Sequence, residues 1–189
     1  MEPGRCGWCE GDPLYIRYHD EEWGIPVHES LTLYERLVLE GMQAGLSWLT
    51  ILKKRAHMQS VFHSFDPVRL AVAGPLDIES WLQDPGVIRH RGKLQALVDN
   101  ARAMLKMQDP FDEFLWSFVD GAPTQNRWRA LSDVPSTTPA SRAMADALKR
   151  RGFRFVGPTV CYAFMQSAGL VNDHLVSCPA HAKCAALAR

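Results

Sequence analysis

The residues best equipped for chemistry lie between Glu40 and Arg55, in the run EGMQAGLSWLTILKKR. Glu40 follows the apolar run Leu37-Val38-Leu39 and precedes Gly41-Met42. A carboxylate there is costly to bury unless something pairs with it. The small-residue break Ala44-Gly45-Leu46 is followed by Ser47, which suits the cap of a helix beginning at Trp48. Two helices meeting at a tight turn would bring Glu40 and Trp48 to the same side. The second helix ends its first half in Lys53-Lys54-Arg55. A carboxylate, an aromatic plate and a cationic tail in one helical hairpin suit a flat, polar, cationic group lying beside a polyanion. The alternative is a core hairpin whose Glu40 reaches solvent.

A second set of reactive groups sits at the two ends of the chain. Cys6 and Cys9 have knuckle spacing, and His174, Cys178, His181 and Cys184 crowd the tail. All are zinc-type ligands. His174 and Cys178 are spaced about one helical turn apart. His19 is a further candidate. A closed set of four would tie the termini together, but spacing does not choose four ligands from these seven. The first thirty residues are rich in rings and poor in aliphatics: Trp8, Tyr15, Tyr18 and Trp23 surround a short helix begun by Asp12-Pro13 and closed by Gly24. Tyr15, Tyr18 and His19 share one face of it. These rings form either a pocket lining or a surface cluster covered by a neighbour.

The elements that must position these groups are helical. The hairpin spans about Thr32 to Gln59, and Asp66-Pro67 starts the next helix. After Gly74-Pro75 a short helix covers Asp77 to about Gln83. The turn Asp84-Pro85-Gly86-Val87-Ile88 then leads into a long helix from about Arg89 through Leu105. Two helices joined by a Gly-containing hairpin can grip a DNA backbone through amides and a helix N-terminus, although many helical hairpins carry Pro-Gly turns without doing so. Arg89, Arg91, Lys93, Arg102 and Lys106 make this segment basic. Phe111 to Phe118 suggests a buried helix. Thr138-Pro139 caps an amphipathic helix ending at Gly152, and Gly157-Pro158 opens another, closed by Gly169. Period-two alternation is nearly absent, so the expected class is all-α.

The 189-residue length suits one domain with a real core. Lys plus Arg and Asp plus Glu balance at 21 each, so no global field marks a nucleic-acid binder, though local patches count for more than the total. The N-terminal stretch has no apolar run of the signal-peptide kind, and no segment approaches membrane-spanning length. The expected location is the cytoplasm, without membrane contact. Five cysteines without a secretion signal argue against a disulfide framework.

Taken together, the motifs resemble the DNA-3-methyladenine glycosylase I family, bacterial repair enzymes of the helix-hairpin-helix glycosylase superfamily. The resemblance runs over roughly residues 5 to 178. It is carried by Arg5-Cys6-Gly7-Trp8, Asp12-Pro13-Leu14-Tyr15, Tyr18-His19-Asp20, Glu22-Trp23-Gly24 and Leu39-Glu40-Gly41. Gln43 through Trp48, Ile88 through Lys93, Arg151-Gly152-Phe153, Phe155-Val156-Gly157 and Gly169 through His174 continue it. It implies a single glycosylase unit over residues 1–189: a helical core over about 30–135 with the hairpin at about 77–105, and terminal segments 1–30 and 136–189 forming a subdomain tied by zinc. It places a structural Zn2+ on Cys6, His19, His174 and Cys178, and leaves Cys9, His181 and Cys184 as bystanders. It places a base pocket on Glu40, the catalytic residue, with Trp8, Tyr15, Tyr18, Trp23 and Trp48. The implied reaction is monofunctional hydrolysis releasing free 3-methyladenine from double-stranded DNA by a monomer that flips the base out. Leu46 is the expected plug in the duplex. Gly86, Ile88, Arg89 and Gly92 should hold its backbone, with Lys53, Lys54 and Arg55 adding phosphate contacts. A zinc-containing DNA-binding module without chemistry, or a zinc hydrolase with an open coordination position, are the competing readings.

Overall fold

A computed structural model of the chain describes residues 4–187, almost entirely as helices and connecting turns. Residues 1–3 and 188–189 of the expected unit lie outside the described residues. The helices are α1 (Pro13–Glu21), α2 (Ser30–Gln43), α3 (Trp48–Val61), α4 (Pro67–Ala71), α5 (Pro75–Gln83), α6 (Arg91–Leu105), α7 (Phe111–Trp116), α8 (Pro139–Arg150), α9 (Pro158–Ser167) and α10 (Pro179–Ala186). Their starts follow from local chemistry. Asp12 accepts from the Leu14 amide and Asp66 from the Val68 amide, each ahead of a proline that has no amide to satisfy. Ser47 and Thr138 accept from the amides of Thr50 and Ser141. α6 begins at Arg91, two residues later than expected, because His90 is still extended and caps the helix by accepting from the Lys93 amide.

α2 is the central rod. It packs against α3, α6 and α9. Leu33, Tyr34, Leu37 and Val38 bury one face, and the Tyr34 hydroxyl donates to Leu97 O at 2.9 Å. Toward its C-terminus every residue from Leu37 to Met42 is buried, so no side of this end meets water freely. That is the environment into which Glu40 projects.

Three features depart from the sequence expectation. The tail carries α10, which polar and small residues had concealed. Two residues, Thr124–Gln125, pair in parallel with Val171–Asn172, a contact too short to leave a periodic signal. His174 and Cys178 are not a turn apart on a helix. They flank a reverse turn, with the Cys178 amide donating to Leu175 O at 2.8 Å, and Cys178 precedes α10 as its cap.

The cations of the middle segment are also used differently from expectation. Lys93 is 6 % exposed, and its ammonium donates to Met42 O (2.8 Å) and Ala44 O (2.5 Å), tying the first turn of α6 to the end of α2. Arg102 donates to Ala71 O and Ala73 O just beyond α4, where the helix dipole favours positive charge. Lys93→Met would leave two backbone carbonyls without their charged donor, a loss of about 1–3 kcal/mol. Urea denaturation should show a lower midpoint for this variant; an unchanged midpoint would mean the ammonium adds nothing to stability.

Candidate functional site

α1, α2, α3 and α9 converge on a cavity of about 220 Å³, room for a single base. α1 contributes Tyr15 and Tyr18, α2 contributes Glu40 and Gln43, and α3 contributes Trp48 from its first turn. Trp8 and Trp23 close one side, their ring centroids 5.0 Å apart. Trp8 lies 5.0 Å from Tyr15, and Tyr18 lies 5.4 Å from Trp48. All six residues expected in the base pocket are thus brought together. Gln43 and, from α9, Gln166 also line it; sequence reading missed Gln166 because an isolated glutamine on an apolar helix has no spacing signal.

The electrostatics of the cavity follow from burial. Glu40 is 5 % exposed. Loss of water raises its pKa to about 8, with Ser167 and the Arg36 guanidinium pulling more weakly in the other direction. Arg36 stands one helical turn earlier on α2 and donates to the carbonyls of Ser167 and Glu22. Burial thus favours the protonated form of the Glu40 carboxyl at neutral pH, against the weaker pull of Arg36. Burial also keeps Tyr18 protonated, its pKa held well above the usual range. Trp48 Nε1 is buried without a hydrogen-bond partner among the described residues, a donor left for something other than protein.

Behind the aromatic wall, Cys6, His19, His174 and Cys178 form a fully buried group that could hold a metal ion, with donor atoms all within 4.8 Å of one another. Cys6 Sγ is 3.6 Å from His174 Nδ1, and Cys178 Sγ is 3.6 Å from His19 Nε2. The other imidazole nitrogens are already bonded: His19 Nδ1 to Asp20 Oδ1 at 2.8 Å and His174 Nε2 to Trp23 O at 2.9 Å. That arrangement orients each ring toward the cluster, as outer partners do at metal sites. Gly24, at φ +80, has His174 Nε2 2.9 Å from where a Cβ would lie, so only glycine fits there. Cys9 donates to Cys6 O, His181 Nε2 contacts Asn126 O, and Cys184 is buried apart; none of the three belongs to the group.

Leu46 is 43 % exposed on the α2–α3 turn, between the cavity residues Gln43 and Trp48. It faces the α5–α6 turn across a cleft of about 660 Å³. Of the residues expected to hold DNA there, Arg89 is exposed, whereas the Ile88 side chain belongs to the core and offers only backbone. A Cβ at Gly86 would meet the His57 ring, 2.2 Å from its ideal position, so a side chain there requires that ring to move. His57 in turn pairs with Asp84 at 2.8 Å. Gly92 lies in the first turn of α6, with His90 Cε1 3.1 Å from its missing Cβ. The cationic run of α3 is partnered within the protein: exposed Lys53 pairs with Asp12, Lys54 donates to Pro85 O, and Arg55 pairs with Glu22 and Glu35.

A mostly helical fold that encloses a base-sized aromatic cavity around a buried carboxyl, beside a Cys/His cluster, defines a narrow class of base-handling proteins. The family model for methyladenine glycosylases matches residues 8–181, and the chain belongs to that family. It is 55 % identical over 177 residues to DNA-3-methyladenine glycosylase 1 of Escherichia coli (strain K12), covering 92 % of this chain and 95 % of that protein. A crystal structure of 3-methyladenine DNA glycosylase I superposes with a TM-score of 0.93 at 54 % identity, over 94 % of this chain and all of that one. A structure of 3-methyladenine DNA glycosylase I from Staphylococcus aureus, solved to explain 3-methyladenine recognition, does so with a TM-score of 0.92 at 36 % identity, over 96 % and 98 % of the two chains.

The raised pKa of Glu40 has a thermodynamic signature. Its folded value, about 8, lies above the ordinary 4.5, so the fold holds a proton that the unfolded chain releases between those two pH values. The stability this represents is present at low pH and lost as pH rises through about 8. Glu40→Gln should therefore melt above the wild type at about pH 9, by about 2–4 °C for each kcal/mol regained. The difference should close toward about pH 5, and a gap independent of pH in calorimetry would refute the assignment.

Proposed function

We propose that this protein is a DNA repair hydrolase that excises 3-methyladenine from alkylated double-stranded DNA, with free 3-methyladenine as product. The observation that carries the reading is a titratable carboxyl and an unpartnered indole N–H buried together in a ring-lined cavity that fits one base. The names of the relatives agree with it.

An adenine methylated at N3 is positively charged while it remains joined to deoxyribose. Aromatic faces attract that charge. A cation entering beside Glu40 lowers its pKa, so the carboxyl ionises when the lesion arrives and the charge pair forms away from water. Normal adenine brings no charge and leaves Glu40 protonated. Hydrolysis breaks the bond between C1′ and N9, the bonding pair leaving with the base, which becomes neutral. A water oxygen joins C1′ and sheds a proton. Because the leaving group is already activated, little acid chemistry is required of the protein. Glu40 is the catalytic residue of this scheme, with Trp8, Tyr15, Tyr18, Trp23 and Trp48 holding the base. The Lys93 ammonium is committed to two carbonyls, which fits hydrolysis without a Schiff base.

Access requires the nucleotide to leave the stack. Leu46 is the wedge that takes its place. The α5–α6 turn serves as the helix-hairpin-helix element, with Gly86, Ile88 and Gly92 offering backbone, Arg89 its guanidinium, and the N-terminus of α6 its dipole to phosphate. Cys6, His19, His174 and Cys178 are read as ligands of a structural zinc ion. A tetrahedral zinc with bonds of about 2.3 Å to sulfur and about 2.0–2.1 Å to nitrogen requires sulfur–nitrogen edges of about 3.6 Å, which the two short cross-pairs match. With four protein donors it has no open position for chemistry. Terminal segments 1–30 and 136–189 then form a tied subdomain against the core at 30–135, in a monomer working in the cytoplasm.

Release of free 3-methyladenine from methylated duplex DNA tests the reading directly. Wild-type protein should release it, and Glu40→Gln should slow release at least tenfold, about 1.4 kcal/mol of transition-state stabilisation. DNA binding without release by the wild type would favour a non-catalytic zinc-containing DNA-binding module. Removal of metal by a chelator, or Cys178→Ser, should lower the melting temperature and free about one zinc per chain by elemental analysis. Full thermal stability in metal-free protein would remove the clasp.

A further inference from the structure

Gln166 is the one polar pocket residue whose amide orientation is dictated by groups outside the pocket. On α9, Tyr162 and Gln166 lie one turn apart, and both donate to the same oxygen of buried Asp173. Tyr162 OH is 2.5 Å and Gln166 Nε2 2.8 Å from Asp173 Oδ2. Asp173 Oδ1 accepts from Asn126 Nδ2 at 2.6 Å and from Trp128 Nε1 at 2.8 Å. The indole nitrogen can only donate, so Asp173 Oδ1 is an acceptor, and Oδ2 accepts from Tyr162 and Gln166. A flipped Gln166 amide would set two acceptors against each other in a buried network, where such a conflict is costly. The glutamine backbone is fixed as well, its carbonyl accepting from Gly24 N and Gly169 N.

Asp173 does not line the base cavity, whereas Gln166 does. With Nε2 committed to Asp173, the polar atom left for the cavity is the carbonyl oxygen Oε1, and no hydrogen bond engages it among the described residues. Of the other polar groups, Trp48 Nε1 can only donate and the Gln43 amide carries both a donor and an acceptor. A neutral Glu40 carboxyl both donates and accepts, and the Tyr15 and Tyr18 hydroxyls can rotate. Gln166 Oε1 accepts only.

We infer that Gln166 is a specificity-determining residue that admits alkylated purines bearing an amino group at position 6 and rejects those bearing an oxygen there, with Asp173 as the positioning residue that holds its carbonyl toward the base. An exocyclic amine donates to Oε1. A 6-oxo purine such as 3-methylguanine or 3-methylhypoxanthine sets an oxygen lone pair against it, and rejection by an unmatched buried polar group exceeds what shape alone provides. The inference rests on the reading of this cavity as the base site.

Binding of two free bases, followed by quenching of tryptophan fluorescence, tests it: 3-methyladenine and its 6-oxo counterpart 3-methylhypoxanthine. Wild-type protein should prefer the amino base at least tenfold. Gln166→Met, which keeps length without polarity, should reduce the preference to about threefold or less by weakening the first base more than the second. Asp173→Asn, which frees the amide to rotate without altering the cavity wall, should narrow it in the same direction. The ratio of 3-methyladenine to 3-methylguanine released from methylated DNA should fall in parallel. Equal wild-type binding of the two bases, or an undiminished preference in Gln166→Met, overturns the inference while leaving the base pocket intact. Failure of the wild type to bind either base overturns the functional reading and this inference with it. Should Gln166→Met fail to fold, Gln166→Leu and the variant-free comparison of the two bases decide the matter.

Discussion

A single constraint organises the molecule: a carboxyl is held at the end of a helix that is buried all round. α2 is packed on several sides, and Glu40 occupies the stretch where no face of it meets water freely. Burial of a charged carboxylate without a strong partner is costly, and proteins usually neutralise the group instead. Glu40 follows that rule, its pKa raised to about 8. On the proposed reading, the cavity is close to neutral toward a neutral guest and acquires charge when a cation enters. Selectivity of this kind needs the water-poor aromatic wall as much as it needs the acid, because the same pair in bulk solvent would interact weakly.

The wall is held from behind by the joined ends of the chain. Cys6 and His174 are 168 residues apart and meet in the Cys/His group. Two of its partners belong to the pocket as well: the Trp8 ring lies 5.2 Å from His19, and Trp23 O contacts His174 Nε2. α1 serves both sides at once, presenting Tyr15 and Tyr18 to the cavity and His19 to the cluster. Asp173, next to His174, reaches the opposite wall through Gln166. Closure of the termini and placement of the aromatic wall are one structural problem, because the same side chains solve both.

The outer surface is coupled to the cavity by cations spent on backbone oxygen. Lys93 fastens the first turn of α6 to Met42 and Ala44, immediately before exposed Leu46. From α3, Lys54 and His57 hold the α5–α6 turn at Pro85 and Asp84. The Leu46 turn and the α5–α6 turn are therefore both tied to the α2–α3 hairpin that carries Glu40. The cations along this face differ in use: Lys93 is buried against the end of α2, whereas Arg89 and Arg91 are exposed.

Much of this was legible in the sequence where the signal is local. Caps such as Asp12-Pro13, Asp66-Pro67, Ser47 and Thr138-Pro139 act within a few residues of themselves, so α1, α4, α3 and α8 begin where their chemistry says. The pocket residues and the four-member Cys/His group were identified through motif resemblance, and spacing alone left the cluster open among seven candidates. Tertiary structure decided what depends on distant partners. It turned Arg55 toward Glu22 and Glu35, and buried Lys93 against α2. It packed His57 over Gly86 and set Gln166 in the cavity by way of Asp173. It also raised the pKa of Glu40 through burial. Residue type and spacing determine which groups are available and where helices start. Burial and the choice of hydrogen-bond partner are properties of the packed chain, and these determine which way a side chain faces and whether it carries charge.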